Sequence, residues 1–319
     1  MDNVLTVAMS ESDRTQKVMS GLAQLSPYHL QPQRESVEEI FIKQASEAVY
    51  DIAEMSLASF LIALGRGDDR LTAIPVFLSR SFRHNAIYVR SDSTAMDPSD
   101  LRGLRFGFPE YQMTAAVWVR ALFRHEWGVA TDEMEWLTYR PERIPIETPA
   151  RRGRSKDIWQ ALLDGEVDAV MSARRPPAEY FPNSGAGGVI RRLFTDVWQA
   201  EKDYFNNSGI FPIMHLVSLK AETVAAYPDL PMQLYNLLLD CKNESTAQML
   251  ETIMNSTSAP WLLESIEQSM KLMNGDIWPY GFRANRRQIE LFMSYLQEDR
   301  LLDKSLSPEE IFHPTVLAT

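Results

Sequence analysis

Residues 107–120, Gly-Phe-Pro-Glu-Tyr-Gln-Met-Thr-Ala-Ala-Val-Trp-Val-Arg, constrain this chain more than any other stretch. Residues 104–108, Leu-Arg-Phe-Gly-Phe, predict a strand, Pro109 ends it, and a short polar turn leads into helical apolar spacing. Glu110, Tyr111, Gln112 and Thr114 are thereby set where a strand ends and a helix begins. The first N–H groups of a helix lack internal partners and carry partial positive charge. Such a junction can hold a carboxylate or a phosphate. A second junction of the same kind spans 51–60, Asp-Ile-Ala-Glu-Met-Ser-Leu-Ala-Ser-Phe. Two of them point to a site for a small anion, with a dianion as the fuller case.

The rest of the chain alternates in the same manner. Strands are predicted over 5–9, 50–53, 72–77, 86–89, 135–137, 167–172 and 209–219, and helices over 37–50, 56–64 and 158–164, with Ser56 near an N-cap. A short helical turn is predicted over 97–101, and from 221 to 297 the pattern is mostly helical. Strands alternating with helices indicate an α/β protein with largely parallel sheets. Residues 140–156 hold six basic and two acidic side chains and several prolines. They read as a solvated surface loop, or as a lid over an anionic ligand.

Several function classes are disfavoured at once. A net charge of −11 argues against a nucleic-acid surface. The single cysteine, Cys241, allows neither an intrachain disulfide nor a cysteine-based metal site and reads as a small buried hydrophobe. The longest apolar run, 55–64, is too short to span a bilayer, and no secretion signal is recognisable near residue 1, so a cytoplasmic protein without membrane partners is expected. No phosphate-binding loop of the Gly-x-x-x-x-Gly-Lys kind and no Gly-x-Ser-x-Gly elbow occurs. Gly185-Ala-Gly-Gly neither follows a strand nor opens a helix with dinucleotide spacing. The histidines at 29, 84, 125, 215 and 313 show no metal-ligand spacing, so no metal and no cofactor is expected. The oligomeric state stays open, a homo-oligomer included.

Asp51-Ile-Ala-Glu-Met-Ser-Leu, Arg80-Ser-Phe-Arg-His84, Gly107-Phe-Pro-Glu-Tyr-Gln-Met-Thr-Ala, Gly209-Ile-Phe-Pro-Ile-Met-His and Trp278-Pro-Tyr-Gly together resemble the 4,5-dihydroxyphthalate decarboxylase family over nearly the whole chain. The resemblance implies a two-lobed fold like the type II periplasmic binding proteins, with mixed, mostly parallel sheets and a ligand cleft between lobes. It implies one lobe from 1–90 plus 215–319 and another from 91–214. It also implies a cofactor-independent carboxy-lyase acting on a small aromatic carboxylate. In the family's substrate each carboxylated ring carbon lies para to a hydroxyl, so an ionised phenol can act as the electron sink while that carbon takes a proton and carbon dioxide leaves.

That chemistry needs groups to hold a carboxylate and groups to move protons. Arg14, Ser56, Arg83, Thr114 and Arg174 are the expected anion-binding residues, since a guanidinium offers a planar fork to a carboxylate. Tyr111 is expected to stack on or hydrogen-bond the ring, with Tyr280 in a similar part. His84, Glu110 and His215 are the expected proton-transfer residues, with Glu54 a weaker candidate that would otherwise pair with an arginine. The competing readings are a non-catalytic intracellular binding protein for a small organic anion and another cyclic-carboxylate lyase on the same scaffold, such as a chorismate dehydratase.

Overall fold

The computed structural model describes residues 3–183, 187–256, 258–302 and 304–319; Gly185 and Ala186 of the rejected glycine-rich loop lie outside them. The strands, in chain order, are β1 (Val4–Ala8), β2 (His29–Gln33), β3 (Ile52–Ser56), β4 (Leu71–Arg80), β5 (Ile87–Arg90), β6 (Arg105–Phe108), β7 (Glu135–Thr138), β8 (Arg151–Arg152), β9 (Ala169–Met171), β10 (Ile190–Arg192) and β11 (Ile213–Lys220). The helices are α1 (Gln16–Met19), α2 (Val37–Glu47), α3 (Leu57–Gly65), α4 (Thr114–His125), α5 (Ile158–Leu163), α6 (Val197–Ser208), α7 (Ala221–Ala226), α8 (Leu230–Ser256), α9 (Leu262–Leu272), α10 (Phe282–Glu298) and α11 (Pro308–Ile311). None of the described helices is long and apolar enough to cross a membrane.

The chain forms two compact units. The first comprises Met1–Arg80, Ile213–Glu290 and Lys304–Thr319, and the second Ser81–Pro212 and Leu291–Asp303. These bounds differ from the expected ones in three places, at 81–90, at 213–214, where β11 begins, and at 291–303. Residues 81–90 belong to the second unit because β5 pairs with both β9 and β10. Residues 291–303 belong there because Phe292 and Tyr295 pack on Trp118 and Asp299 takes the buried Arg120.

The sheet of the first unit runs β2-β1-β3-β11-β4. β1 is parallel to β2 and β3, while β11 lies antiparallel between β3 and β4. Val7, Ala8, Ile52, Ala53, Met55 and Val217 are fully buried, as strands covered on both faces require. β2 had no alternating pattern to announce it, and its Pro32 is tolerated because the strand is an edge. The turn into β3 is set by the buried Gln44, whose side-chain oxygen accepts from the Tyr50 N–H while its amide donates to the Tyr50 carbonyl. Ser56 then ends β3 and caps α3, its hydroxyl accepting from the Ser59 N–H.

The sheet of the second unit runs β10-β5-β9-β6-β7-β8. β6 is parallel to β7 and β9, and β5 is antiparallel to β9 and β10. α4 carries Trp118 and Arg120 into the interior with no exposure. The Arg-rich segment 140–156 lies at the surface, with none of its residues buried; Arg151–Arg152 pairs with β7 as an exposed edge strand, and Arg143 is the arginine held in, its side chain 9% exposed.

Candidate active site

In the first unit, backbone pairing decides which side chains meet. His215, near the start of β11, lies directly opposite Ser56 of β3, and Val217 opposite Glu54. Directly paired residues share a sheet face, as do residues two apart on one strand. Glu54, Ser56 and His215 therefore project on one side, with Glu54 on the diagonal from His215. His215 Nδ1 lies 2.6 Å from Glu54 Oε1. The other carboxylate oxygen accepts the Ser10 N–H at 2.8 Å, from the segment just beyond the carboxyl end of β1. The carboxyl ends of neighbouring parallel strands are where open α/β sheets bind ligands.

The Glu54 residue is 1% exposed. Burial pushes its pKa up, but the bond to His215, the charge of that ring and the Ser10 N–H outweigh it, so the carboxyl is held below its ordinary value. An ionised carboxylate only accepts hydrogen bonds. Nδ1 of His215 is therefore the donor, and Nε2 is the nitrogen left for other work. The ring is kept in place by the edge of Phe41, 4.7 Å between centroids, and the side chain is 23% exposed.

Around this pair the first unit gathers cations and aromatic rings. The Arg14 guanidinium lies 3.9 Å over the Trp278 ring, donates to the Asp13 carboxylate at 2.6 Å and to the Leu78 carbonyl at 3.3 Å, and keeps a buried Nε without a partner among the described residues. Tyr280, also buried, has a hydroxyl with no partner among the described residues. Burial raises its pKa, against the charges of Arg14 and Arg80, and Asp13 and Glu54 add to the rise. Arg80 donates to the Pro279 carbonyl at 2.8 Å and to Gln288 at 3.1 Å, which fixes the Trp-Pro-Tyr-Gly turn against the end of β4.

The second unit holds the other expected residues. Glu110 is buried and paired with Arg143 at 3.0 Å; burial raises its pKa while Arg143 and Arg140 oppose the rise. The turn ahead of α4 does bind a carboxylate, and it is the protein's own: Glu142 accepts the N–H groups of Tyr111 at 2.7 Å and Gln112 at 2.9 Å. Gln112 completes the strap through the Ile144 backbone. The Tyr111 ring, expected to meet a ligand, is fully buried under the Arg120 guanidinium at 3.6 Å. Thr114 is the buried first residue of α4. Arg174 is exposed in the loop after β9, its N–H donating to the Ser172 hydroxyl. Arg83 is buried near Glu201, and burial lowers its pKa to about 10. His84 is 2% exposed among the rings of Trp127, Phe194 and Tyr204, at 5.3–5.8 Å. Burial alone lowers its pKa to about 4.

Arg14, Ser56 and His215 are thus brought into one unit, and His84, Arg83, Glu110, Tyr111, Thr114 and Arg174 into the other. Glu54, expected otherwise to pair with an arginine, takes His215 and the Ser10 N–H instead. The signal for Glu54 was a carboxylate set between apolar neighbours in the middle of a short strand, Ile-Ala-Glu-Met-Ser, where burial requires a partner. Among the described residues no three His, Cys, Asp or Glu side chains cluster as metal ligands would.

Comparison with known proteins gives the chain its relatives. It is 31% identical over 326 residues to a 4,5-dihydroxyphthalate decarboxylase of Comamonas testosteroni, covering 98% of this chain and 97% of that one. It is 34% identical over 183 residues to a 4,5-dihydroxyphthalate decarboxylase of Pseudomonas putida, covering 54% of this chain and 71% of that one. Among solved structures it is similar to the periplasmic aliphatic sulphonate binding protein SsuA of Escherichia coli, with a TM-score of 0.58 over 99% of both chains at 12% identity. The fold is therefore that of the type II periplasmic binding proteins. No family model matches the chain.

Proposed function

As a member of the 4,5-dihydroxyphthalate decarboxylase family, the chain is a carboxy-lyase, and we propose that it decarboxylates a 4,5-dihydroxyphthalate-like substrate by proton transfer through His215 without a cofactor. The observation that carries the reading is the Glu54–His215 pair, a buried carboxylate holding an imidazole by Nδ1 at 2.6 Å. An imidazole so held acts as acid or base at one defined atom, Nε2.

In this reading the substrate phenol para to the reacting carboxylate is ionised, and its charge is delocalised to the carboxylated ring carbon. Protonated His215 gives its Nε2 proton to that carbon. The carbon–carboxylate bond then breaks, its electron pair restores the aromatic ring, and carbon dioxide departs. His215 regains a proton from solvent. Glu54 stabilises the imidazolium and keeps the ring turned, as a positioning residue that itself stays ionised. Arg14 is the proposed contact for the carboxylate that remains, its guanidinium already held over the Trp278 ring, and Ser56 supplies a neighbouring hydroxyl. The buried Tyr280 hydroxyl is a proposed donor to a substrate oxygen. The aromatic surround of His84 supports packing over proton transfer, and the Glu142 strap supports a framework part for the Tyr111–Gln112 turn. A metal-independent, cytoplasmic enzyme fits this chemistry.

The experiment is to incubate the purified protein with 4,5-dihydroxyphthalate and a panel of hydroxylated aromatic carboxylates and follow carbon dioxide release, with and without chelator. Turnover that survives chelation and falls at least about 10²-fold in His215→Gln supports the reading. Saturable binding without turnover would make the chain a receptor, and turnover lost on chelation would end the metal-free mechanism.

A further inference from the structure

The second unit contains a surface hollow that the proposed reaction does not use. Its volume is about 660 Å³ and its lining includes Asn85, Phe181, Arg192, Phe194, Trp198 and Glu201. It takes in none of Ser10, Arg14, Glu54 or His215. Three observations set it apart from an ordinary surface dip.

First, two charged side chains that line it each keep a buried polar atom without a partner among the described residues, Nε of Arg192 and Oε1 of Glu201. Buried polar atoms are nearly always paired; these two are enclosed beside the hollow rather than open to it, so the cation and the carboxylate that carry them border it with hydrogen-bonding capacity the protein leaves unfilled. Second, the walls are aromatic. Phe181 lies under the Arg192 guanidinium at 5.6 Å and under that of Arg175 at 4.8 Å, and Trp198 is 47% exposed. Third, the environment of Glu201 suits a hydrogen-bonding exchange. Burial pushes its carboxyl up to about 7 although the Asn85 N–H and the charges of Arg192 and Arg83 favour ionisation. A hydroxyl that donates to it would supply what the protein leaves out.

We propose that this hollow is a second ligand site, for a small flat aromatic carboxylate bearing hydroxyl groups. The carboxylate takes the Arg192 N–H, a ring hydroxyl meets Glu201, and the ring lies along the aromatic walls. Inorganic anions would leave those walls wet, and an aliphatic acid would forgo the ring contacts, which are worth having only for a π-system. The chemical class is that of the product expected from the reaction proposed above, which would make the hollow a place where product accumulation is sensed. The inference itself rests on the lining of the hollow. Because it is read by binding, it can fail while the proposed reaction stands.

The test is calorimetric titration of the intact protein with 3,4-dihydroxybenzoate, alongside cyclohexanecarboxylate and inorganic phosphate. The expected result is two classes of site for 3,4-dihydroxybenzoate. Arg192→Gln should remove or weaken one of them at least tenfold, with turnover of 4,5-dihydroxyphthalate retained, and the two control anions should bind that class at least tenfold more weakly. Trp198→Ala, at a side chain that is 47% exposed, should weaken the same class severalfold and serves if Arg192→Gln does not fold. A single class of site in the wild type, or two classes untouched in both variants, overturns the proposal. Loss of turnover in step with binding in a folded variant also overturns it, since the hollow would then belong to the reaction's own site.

Discussion

Replacing Glu54 by Gln tests the proposed mechanism at its most sensitive point. The carboxylate is 1% exposed and accepts two bonds, from Ser10 N–H at 2.8 Å and from His215 Nδ1 at 2.6 Å. Glutamine has the same shape but only one acceptor oxygen. Its amide nitrogen must face either the Ser10 N–H, where donor meets donor, or Nδ1, which can accept from it only by moving the ring proton to Nε2. Hydrogen bonds to a charged group are worth about 1.5–3 kcal/mol each, so losing one should lower stability by about that amount. If the amide keeps Ser10, His215 loses the partner that sets its tautomer and its turn. The acid–base contribution at stake is about 10²–10⁴-fold in rate, or about 3–5.5 kcal/mol of barrier. Because neither atom of the pair is assigned to carboxylate binding, kcat should carry the loss while KM moves by less than about threefold.

Steady-state carbon dioxide release and urea denaturation on the same preparation give both quantities. A folded Glu54→Gln with kcat within about threefold of wild type would refute the assignment of His215 and Glu54 to proton transfer. An acid titration of stability adds a check. The Glu54 pKa is lowered in the folded state, so its stabilisation is present above the ordinary glutamate value of about 4.3 and is lost as pH falls through the folded value. Glu54→Gln should flatten that acid limb.

Other substitutions probe the framework. Asp299→Asn removes the fully buried partner of Arg120 and should cost about 3–5 kcal/mol in urea denaturation, as for other broken buried pairs. Glu142→Ala should cost about 2–3 kcal/mol by uncovering the Tyr111 and Gln112 N–H groups, read from the shift in denaturation midpoint. His84→Phe keeps an aromatic ring among Trp127, Phe194 and Tyr204; kcat within about twofold of wild type is expected if the ring only packs, and a loss beyond about 10²-fold would restore it to the chemistry. For Glu201, whose pKa is raised to about 7, the folded state binds its proton more tightly than the unfolded one, so stability falls as pH rises from about 4.3 to 7. Glu201→Gln should therefore be more stable than wild type at pH 8, by about 1 kcal/mol after allowing for partial exposure, and equal to it near pH 4.

The parts of the fold that sequence could show were those written in local patterns. Ser56 capping α3 was readable from a serine placed before an apolar run, and α4 from the spacing after Pro109. α6 was not read, because its sequence Val-Trp-Gln-Ala-Glu-Lys-Asp-Tyr-Phe-Asn-Asn-Ser buries only Tyr204 and shows no continuous apolar stripe. β2 and β10 were missed for a related reason: a short edge strand has one partner, so little of its surface must be apolar. The unit bounds differ from the expected ones where belonging depends on distant pairing. Nothing in 291–303 announces that Asp299 will meet Arg120, 179 positions earlier.

The same limit explains why two junctions of one kind came to different ends. Both were legible as strand-to-helix transitions with N–H groups to satisfy. At the 107–120 junction the anion is Glu142, only 30 and 31 positions along the chain from the N–H groups it accepts, and the turn is closed by the protein itself. At the 51–60 junction the decisive partner of Glu54 is His215, 161 positions away and delivered by an antiparallel strand from the far part of the chain. A junction motif reports that an anion can be held there; whether the anion is internal depends on which strand or loop arrives beside it. The strongest local signal thus marked the turn that is filled by a resident carboxylate. The weaker one marked the pair whose second imidazole nitrogen is the proposed proton carrier, since a glutamate buried in a strand must find a cation or a donor and here found a histidine.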